Sequence, residues 1–304
     1  MGILCIDVGG TFLKYTVLDQ SLRVENVERT ATPRESLADF LDAVKHIYET
    51  HRDVTGIAIS SPGVIDTESG RMYTGGSLDY IRDLDMAELL SGLCGGVPVS
   101  IENDAKAAAF AELKSGALEK VENGIVLTIG TAIGGTVIVN REILRGKNLF
   151  AGEFSYAIYQ DDGTRGESWN LEKNMWGFRG VPDQIIREYG EENIRCEEIF
   201  RRMTTGEKKA ESAVRTAARD LALLIHNLQT VFDSEVIAIG GGISVNQDYI
   251  RMVREEERKI NEMFGGVVPM PDIQPCRYYN NANLLGAYYA FQHMYPKQTE
   301  ELTA

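Results

Sequence analysis

Paired cysteines, long apolar runs and an excess of positive charge are all missing from the sequence. The four cysteines (Cys5, Cys94, Cys196 and Cys276) lie far apart, which excludes the spacing of a zinc knuckle or a disulfide framework and predicts small buried side chains. No stretch approaches the roughly 20 apolar residues that a membrane span needs. The N-terminal residues 1–6 have neither a basic region nor a long apolar segment, so we expect no secretion signal and a cytoplasmic protein.

The shortage of basic residues excludes another class of function. Asp and Glu number 45 against 31 Lys and Arg, a formal net charge of -14. A nucleic-acid surface needs clustered Lys and Arg, so no nucleic-acid partner is expected, and the acidity favours solubility. The hydrophobic content of 43% is that of an ordinary soluble protein, and 304 residues predict two domains with a cleft between them.

The most informative stretch joins a strand to an alanine-rich helix. Residues 97–101 alternate like a strand, and residues 105–113 have helical character with Asn103 or Asp104 as the N-cap. In open α/β sheets ligands gather at the carboxyl ends of strands, where Asp104 could accept a proton from a substrate hydroxyl. The alternative is that Asp104 only caps the helix.

The N-terminus predicts a glycine hairpin. A strand over residues 2–8 is closed by the turn Asp7-Val8-Gly9-Gly10-Thr11, and alternation resumes over residues 12–18. A Walker loop or a dinucleotide fingerprint would need a helix directly after its glycines. A hairpin therefore predicts a different kind of nucleotide site.

Each polar group of this hairpin has a chemical use. Gly9 and Gly10 would let backbone N–H groups approach a phosphate, while Thr11 adds a hydroxyl and Lys14 a charge. Asp7 could hold a magnesium ion through water. The alternative is an ordinary hairpin turn, in which Gly-Gly is common.

A second unit repeats this layout. An apolar strand over residues 124–129 is followed by the turn Gly130-Thr131-Ala132-Ile133-Gly134-Gly135 and a strand over residues 136–139. Two such hairpins could bind one polyphosphate from both sides. The repetition is a stronger signal than either hairpin alone.

Three further segments are candidates for substrate contacts. Glu153 lies between a glycine and a phenylalanine and could accept hydrogen bonds from two hydroxyls of a polyol, although a lone surface glutamate has no such meaning. The turn Ser61-Pro62-Gly63 could bring backbone beside a substrate. Gly240-Gly241-Gly242, after a strand over residues 234–239, could let an adenine lie against the backbone or could be a simple turn.

The remaining pattern is that of a mixed sheet with crossover helices, an α/β fold. Apolar residues at helical spacing predict helices over residues 36–49, 105–113, 191–203, 211–232 and 255–264, and a final aromatic-rich helix that opens near residue 280.

Five motifs in one order resemble the bacterial ROK family of sugar kinases. They are Asp7-Val8-Gly9-Gly10-Thr11, Glu102-Asn103-Asp104, Gly130 to Gly135, Gly152-Glu153 and Gly240-Gly241-Gly242-Ile243-Ser244. The resemblance covers nearly the whole chain and implies the actin-like, hexokinase-like (ribonuclease H-like) ATPase fold. It implies a small domain of residues 1–105 plus about 283–304, a large domain of residues 106–282, and ATP and sugar in the cleft between them.

The resemblance also implies a role for each motif. Asp104 matches the catalytic base, and Gly63, Asn103, Asp104 and Glu153 match the sugar site. The implied ATP contacts are Asp7, Gly9, Gly10, Thr11, Lys14, Gly130, Thr131, Gly134, Gly135, Gly241 and Gly242. ATP and Mg²⁺ are the implied cofactors, with Asp7 holding Mg²⁺ through water, and a homodimer is the expected assembly.

The sequence departs from the family at the sugar site. Many members have Gly-His after the Gly-Glu pair and then a clustered-cysteine zinc motif that ends in a second sugar-binding glutamate. Here Ser155 and Tyr156 occupy the Gly-His positions and no cysteine cluster follows, so no zinc is expected. Asn170 or Glu167 takes the place of the second glutamate, and Gly75-Gly76-Ser77 replaces a usual asparagine. β-Glucoside kinases are among the members that lack the zinc motif.

These features favour an ATP-dependent kinase that phosphorylates a hexose or hexose derivative, such as a β-glucoside or glucose, at its 6-hydroxyl. N-acetylmannosamine kinase is an alternative within the class. A transcriptional regulator of the same family would carry a helix-turn-helix before the first hairpin, where this sequence begins. A sugar sensor without turnover is a third hypothesis, which the intact Asn103-Asp104 pair disfavours.

Overall fold

The structure is a computed structural model that describes residues 2–130, 133–157 and 181–296. The chain divides into two compact units. The first unit consists of Met1–Gly116, Arg145–Phe150 and Asn280–Ala304, and the second of Ala117–Leu144 and Ala151–Tyr279.

The first unit contains two sheets. Its strands are β1 (Gly2–Val8), β2 (Phe12–Leu18), β3 (Glu28–Ala31), β4 (Val54–Ser61), β5 (Ile65–Asp66), β6 (Arg71–Thr74), β7 (Arg82–Leu84) and β8 (Val99–Asn103). Five of them form a mixed sheet in the order β3-β2-β1-β4-β8, in which β1, β2 and β3 pair antiparallel and β1, β4 and β8 pair parallel. The strands β5, β6 and β7 form a separate small antiparallel sheet.

Helices cover both faces of this sheet. They are α1 (Leu37–Thr50), α2 (Met86–Leu93), α3 (Asp104–Ser115) and α8 (Ala282–Met294). Alternate side chains of β1 point to opposite faces, and those of Leu4 and Ile6 share a core with Phe40 of α1 and Leu90 of α2. Helix α8 packs against β1, β4, β8 and α3.

The first unit extends to Gly116 in its N-terminal segment, so it includes all of α3. The boundary predicted at residues 105 and 106 falls within the first turn of that helix. Because α3 packs along α8, the two helices are placed in the same compact unit. The domain limits predicted from the sequence stay a prediction.

The second unit repeats the sheet of the first. Its order is β11-β10-β9-β12-β13, with β9, β10 and β11 antiparallel and β9, β12 and β13 parallel. The elements are β9 (Gly124–Ile129), β10 (Ile133–Val139), β11 (Glu142–Ile143), α4 (Val181–Tyr189), α5 (Cys196–Thr204), α6 (Lys208–Phe232), β12 (Val236–Gly240), α7 (Gln247–Met263) and β13 (Asp272–Pro275). No helix in the described part of the chain is both long enough and apolar enough to cross a membrane.

Both predicted hairpins are confirmed, with one correction. The pairs Val8↔Leu13 and Ile129↔Ile133 close the two antiparallel strand pairs. Gly134 and Gly135, predicted in the turn, lie instead in β10 opposite Thr128 and Leu127. The prediction was wrong because it treated every glycine of the run as turn, although a glycine can pair in a strand where a neighbour packs closely.

Two predicted helix starts were also wrong. The helix predicted from residue 191 begins at Cys196, since Asn193 has a positive φ of 61° that a right-handed helix cannot contain. The helix predicted from residue 255 begins at Gln247. Its N-cap is Asn246, whose side chain accepts a hydrogen bond from the Tyr249 backbone N–H at 3.2 Å.

Helices α3 and α8 approach each other at backbone distance. A β-carbon on Gly286 of α8 would lie 1.7 Å from the carbonyl oxygen of Ala107 in α3. Helix α3 is buried on all sides, which explains its run of alanines, because a helix that is covered all round needs small side chains where neighbours come close.

We therefore predict that Gly286→Ala destabilises the protein by about 1–3 kcal/mol through overpacking. The matched control is Gly92→Ala in α2, where a β-carbon would meet no atom within 4 Å and should stabilise the helix by roughly 0.5–1 kcal/mol. Urea denaturation measures both changes. Equal stabilities for the two variants would contradict the close contact between α3 and α8.

Candidate active site

Three strand ends of the first unit meet at one edge of its sheet. Asp7 of β1 pairs with Ser60 of β4, and Ser60 pairs with Glu102 of β8. Because these strands are parallel, the segments after each of them begin at the same edge, where ligands of open α/β sheets bind. The Gly9-Gly10 turn and the Asn103-Asp104 junction both lie at this edge.

The junction of β8 and α3 presents Asp104 at a helix N-terminus. Asn103 is the N-cap, since its Oδ1 accepts hydrogen bonds from the backbone N–H groups of Ala105 (3.1 Å) and Lys106 (3.2 Å). Asp104 is therefore the first residue of the helix and not its cap. Its half-buried carboxylate accepts from the Ala105 N–H at 2.8 Å, and the positive end of the helix dipole stabilises its charge.

The structure brings two predicted sugar contacts, Asn103 and Gly63, together. The Nδ2 group of Asn103 donates to the Gly63 carbonyl at 3.0 Å. An asparagine side chain has two N–H donors, and the Oδ1 of Asn103 is already used in capping. The second N–H of Asn103 makes no hydrogen bond within the part of the chain that the structure describes, so it can donate to a ligand.

The carboxylate of Asp7 is buried, with 6% of the residue exposed. Its Oδ1 accepts from Asn283 Nδ2 at 2.9 Å and from Ser60 Oγ at 3.4 Å, while Lys14 Nζ lies 3.8 Å from Oδ2. Burial raises the pKa of Asp7, against the lowering effect of these partners. No described residue donates a hydrogen bond to Oδ2, so Asp7 fits a contact to Mg²⁺ through a water ligand.

The turn after β1 is held by residues from outside the hairpin. Thr32 donates through its hydroxyl to the Gly9 carbonyl at 2.7 Å and through its N–H to the Thr11 carbonyl at 3.0 Å. Arg34 donates to the Gly10 carbonyl. Among the described residues no carboxylate lies within salt-bridge distance of Arg34, so the other N–H groups of this exposed guanidinium can bind an anion.

In the second unit two predicted ATP segments lie side by side. Gly241 has a φ of +88°, and a β-carbon there would lie 2.0 Å from the Ile129 carbonyl oxygen, so only glycine fits beside the end of β9. Gly130 follows β9 directly. Among the described residues, a β-carbon on Gly130 or Gly242 would meet no atom within 4 Å, so no described side chain covers either backbone.

The loop that carries Glu153 is fixed to β10 on both sides of that residue. A β-carbon on Gly152 would lie 2.2 Å from the Gly135 carbonyl oxygen, and one on Gly135 would lie 2.4 Å from the Phe154 ring. Packing of this loop therefore explains why residue 135 is a glycine. The phosphate contacts predicted for Gly134 and Gly135 stay predictions. Glu153 itself is half-buried.

Two predicted site residues, Thr131 and Asn170, lie outside the described residues, as does Glu167. Sequence reasoning also missed residues at the first-unit edge. Thr32, Arg34 and Asn283 contact the first turn or Asp7 from distant positions in the sequence. Only the segment Asn280-Asn281-Ala282-Asn283 gave any signal, because polar amides at the start of an apolar helix suggest a buried polar partner.

Comparisons with known proteins identify the family of the sequence. The ROK family profile matches residues 3–294. The chain is 30% identical to the β-glucoside kinase of Klebsiella pneumoniae, over 97% of each protein. It is 26% identical to the N-acetyl-D-glucosamine kinase of Yersinia enterocolitica, over 95% of this chain and 98% of that enzyme.

A solved structure shows the same architecture. The ROK family protein from Streptococcus pneumoniae TIGR4, in complex with sucrose, superposes with a TM-score of 0.83 at 28% identity, over 98% of this chain and 100% of that one. The predicted α/β actin-like ATPase fold is thereby confirmed. With the profile spanning almost all of the sequence, the chain belongs to the ROK family.

Proposed function

We propose that this ROK-family sugar kinase transfers the γ-phosphoryl group of Mg-ATP to the 6-hydroxyl of a hexose derivative, with a β-glucoside preferred to glucose. The observation that carries the proposal is the position of Asp104, a half-buried carboxylate at the first residue of α3 and at the same sheet edge as Asp7. The family and the sugar-kinase relatives support the reaction class.

Asp104 acts as the general base. Its carboxylate takes the proton from the sugar hydroxyl as that oxygen forms a bond to the γ-phosphorus, and the bond from the γ-phosphorus to the β,γ-bridging oxygen breaks to release ADP. The N–H of Asn103 that Gly63 leaves unused donates to a sugar hydroxyl and orients the acceptor. Glu153 accepts from other hydroxyls of the sugar.

The glycine turns bind the phosphates. Backbone N–H groups at Gly10 and Gly130 approach the oxygens closely, and Lys14 adds a positive charge. The Gly9 N–H supports the turn instead, since it donates to the Phe12 carbonyl at 3.0 Å. Gly241 and Gly242 contact the adenosine. Mg²⁺, when bound, neutralises charge that develops on the phosphates, and Asp7 would hold it through water.

The preference for a β-glucoside rests on the altered sugar segment. Ser155 and Tyr156 replace the family's Gly-His pair, and Tyr156 is exposed, with 53% of the residue accessible. These changes alter contacts near the anomeric carbon and C2, where a glycoside and a free sugar differ. The β-glucoside kinase relative supports this choice, whereas the N-acetyl-D-glucosamine kinase relative favours an N-acetylhexosamine as the second candidate.

We predict that Asp104→Asn lowers kcat by roughly 100-fold or more, because an amide cannot accept the proton. The control is Asp39→Asn, an exposed acid in the first turn of α1 of the same unit, which should keep kcat. A coupled assay of ADP release measures both. A kcat near that of the unmodified protein in Asp104→Asn would remove Asp104 from the role of base.

Asp7→Asn should lower kcat/KM by roughly 100-fold, since a charged group that acts on the phosphates and the metal is lost. The same variant should have a larger free energy of unfolding at neutral pH. Because burial raises the pKa of Asp7 above 3.8, its ionised form costs folding free energy, and stability falls as the pH rises from about 3.8 through the folded-state pKa. The neutral amide removes this cost.

Urea denaturation between pH 4 and pH 7 tests the stability effect of Asp7→Asn. Its advantage over the unmodified protein should grow with pH. Asp83→Asn should show the opposite sign, since hydrogen bonds from Arg71 lower the pKa of Asp83 and favour its ionised form in the folded state. A lower stability of Asp7→Asn at pH 7 would contradict the cost of the buried charge.

A substrate panel tests the acceptor. Methyl β-D-glucoside and cellobiose should exceed glucose, N-acetylglucosamine and N-acetylmannosamine in kcat/KM by about 10-fold or more, the discrimination that a few altered pocket contacts give. The 6-deoxy glucoside should bind without ADP release. A preference for an N-acetylhexosamine would favour the second candidate, and melting shifts without ADP release from any sugar would indicate a sensor.

A further inference from the structure

Six residues of the first unit lie, in the sequence, between two segments of the second unit. Arg145–Phe150 belong to the first unit, although Leu144 before them and Ala151 after them belong to the second. The first residue of this inserted segment, Arg145, is joined to Glu102 of β8. Its Nη2 lies 2.7 Å from Oε2 of Glu102 and its Nη1 3.0 Å from Oε1.

This pair is a buried, bidentate ion pair. The Glu102 side chain is 1% exposed and that of Arg145 26%. Two parallel N–H···O bonds fix the carboxylate plane as well as its position, which a single bond does not. A buried carboxylate without a partner would be strongly destabilising, so Glu102 requires Arg145 or an equivalent cation.

Thr67, in the turn after β5, completes the cluster. Its hydroxyl accepts from Arg145 Nη1 at 3.0 Å and donates to Glu102 Oε1 at 3.2 Å. Burial acts to lower the pKa of Arg145, but its hydrogen bonds to Glu102 and the charges of Glu68 and Asp66 raise it on balance. The guanidinium therefore stays charged and keeps its N–H donors for Glu102 and Thr67.

The Glu102 carboxylate also restrains the backbone of the next residue. Its Oε1 also accepts a hydrogen bond from the backbone N–H of Asn103 at 2.9 Å. The orientation of that peptide determines where the Asn103 side chain begins, and Asn103 caps α3 through Ala105 and Lys106. Asp104 lies between the peptide that Glu102 holds and the helix turn that Asn103 caps.

We propose that Arg145 is a positioning residue for phosphoryl transfer, which orients the base Asp104 through Glu102 and Asn103 without touching the substrate. This role rests on the kinase function proposed above. The clamp fixes the last residue of β8, and a displacement of about 1 Å at a catalytic group can cost up to roughly 100-fold in rate. The effect on kcat exceeds that on KM for ATP, because Arg145 acts on the segment that carries Asn103 and the base and touches neither substrate.

Variants of the pair separate positioning from stability. Arg145→Met alone leaves the Glu102 carboxylate buried without its partner and should lower Tm. The double variant Arg145→Met/Glu102→Gln removes both charges and should recover most of that Tm, since neutral replacements of a buried ion pair are tolerated. The amide retains the shape of the carboxylate but lacks the bidentate clamp that fixes its rotamer.

If Arg145 positions the base, the double variant keeps a kcat about 10-fold or more below that of the unmodified protein, with KM for ATP changed by less than about 3-fold. Arg145→Lys should recover part of kcat, because a single ammonium replaces the charge but not the fork. Arg71→Met is the matched control. Arg71 pairs with Asp83 and Asp85 on the exposed surface of the same unit and should keep kcat.

The outcomes distinguish this inference from the proposed function. An unmodified protein that releases ADP with none of the sugars overturns the kinase function, and the positioning role falls with it. An active protein whose double variant regains kcat together with Tm overturns the positioning role alone and leaves a purely structural ion pair. A raised KM at unchanged kcat has the same meaning.

Discussion

The register of three parallel strands places the acidic groups of the candidate site on one face of the first sheet. Asp7, Ser60 and Glu102 lie in one row across β1, β4 and β8, and because the side-chain period of a strand is two, their side chains point to the same face. A slip of one residue in either pairing would turn Asp7 or Glu102 to the opposite face. The proposed metal contact and the support of the base thus come from a single alignment.

The two sheets have the same strand order but different polar groups at their edges. In the first unit the edge carries the acid of Asp7 and the Asn103-Asp104 junction. In the second, Gly130 follows β9 and β12 ends at Gly240, and Gly241 packs directly on the end of β9. The repeat therefore supplies an edge with charged groups in one unit and an edge of open backbone in the other. In the proposed reaction, the charged groups supply the base and the open backbone supplies hydrogen-bond donors.

The sequence could predict the elements whose signals are local. Alternation and glycine turns gave both hairpins, and the cap residues gave the junction at Asn103, because short-range sterics and hydrogen bonds determine these features. It could not predict contacts between distant segments, such as Arg34 on the Gly10 carbonyl or Arg145 on Glu102. Gly135 shows the reason, since its size is required by the Phe154 ring, which lies outside the hairpin.

The last helix of the first unit has a consequence for synthesis. Helix α8 covers β1, β4 and β8, and its Phe291 fits so closely that a β-carbon on Gly56 of β4 would lie 2.3 Å from the ring. A chain that leaves the ribosome exposes this apolar face of the sheet until residues 282–294 have been translated. The core of the first unit is therefore incomplete while the whole second unit is being synthesised, and the exposed strands are prone to aggregation during that time.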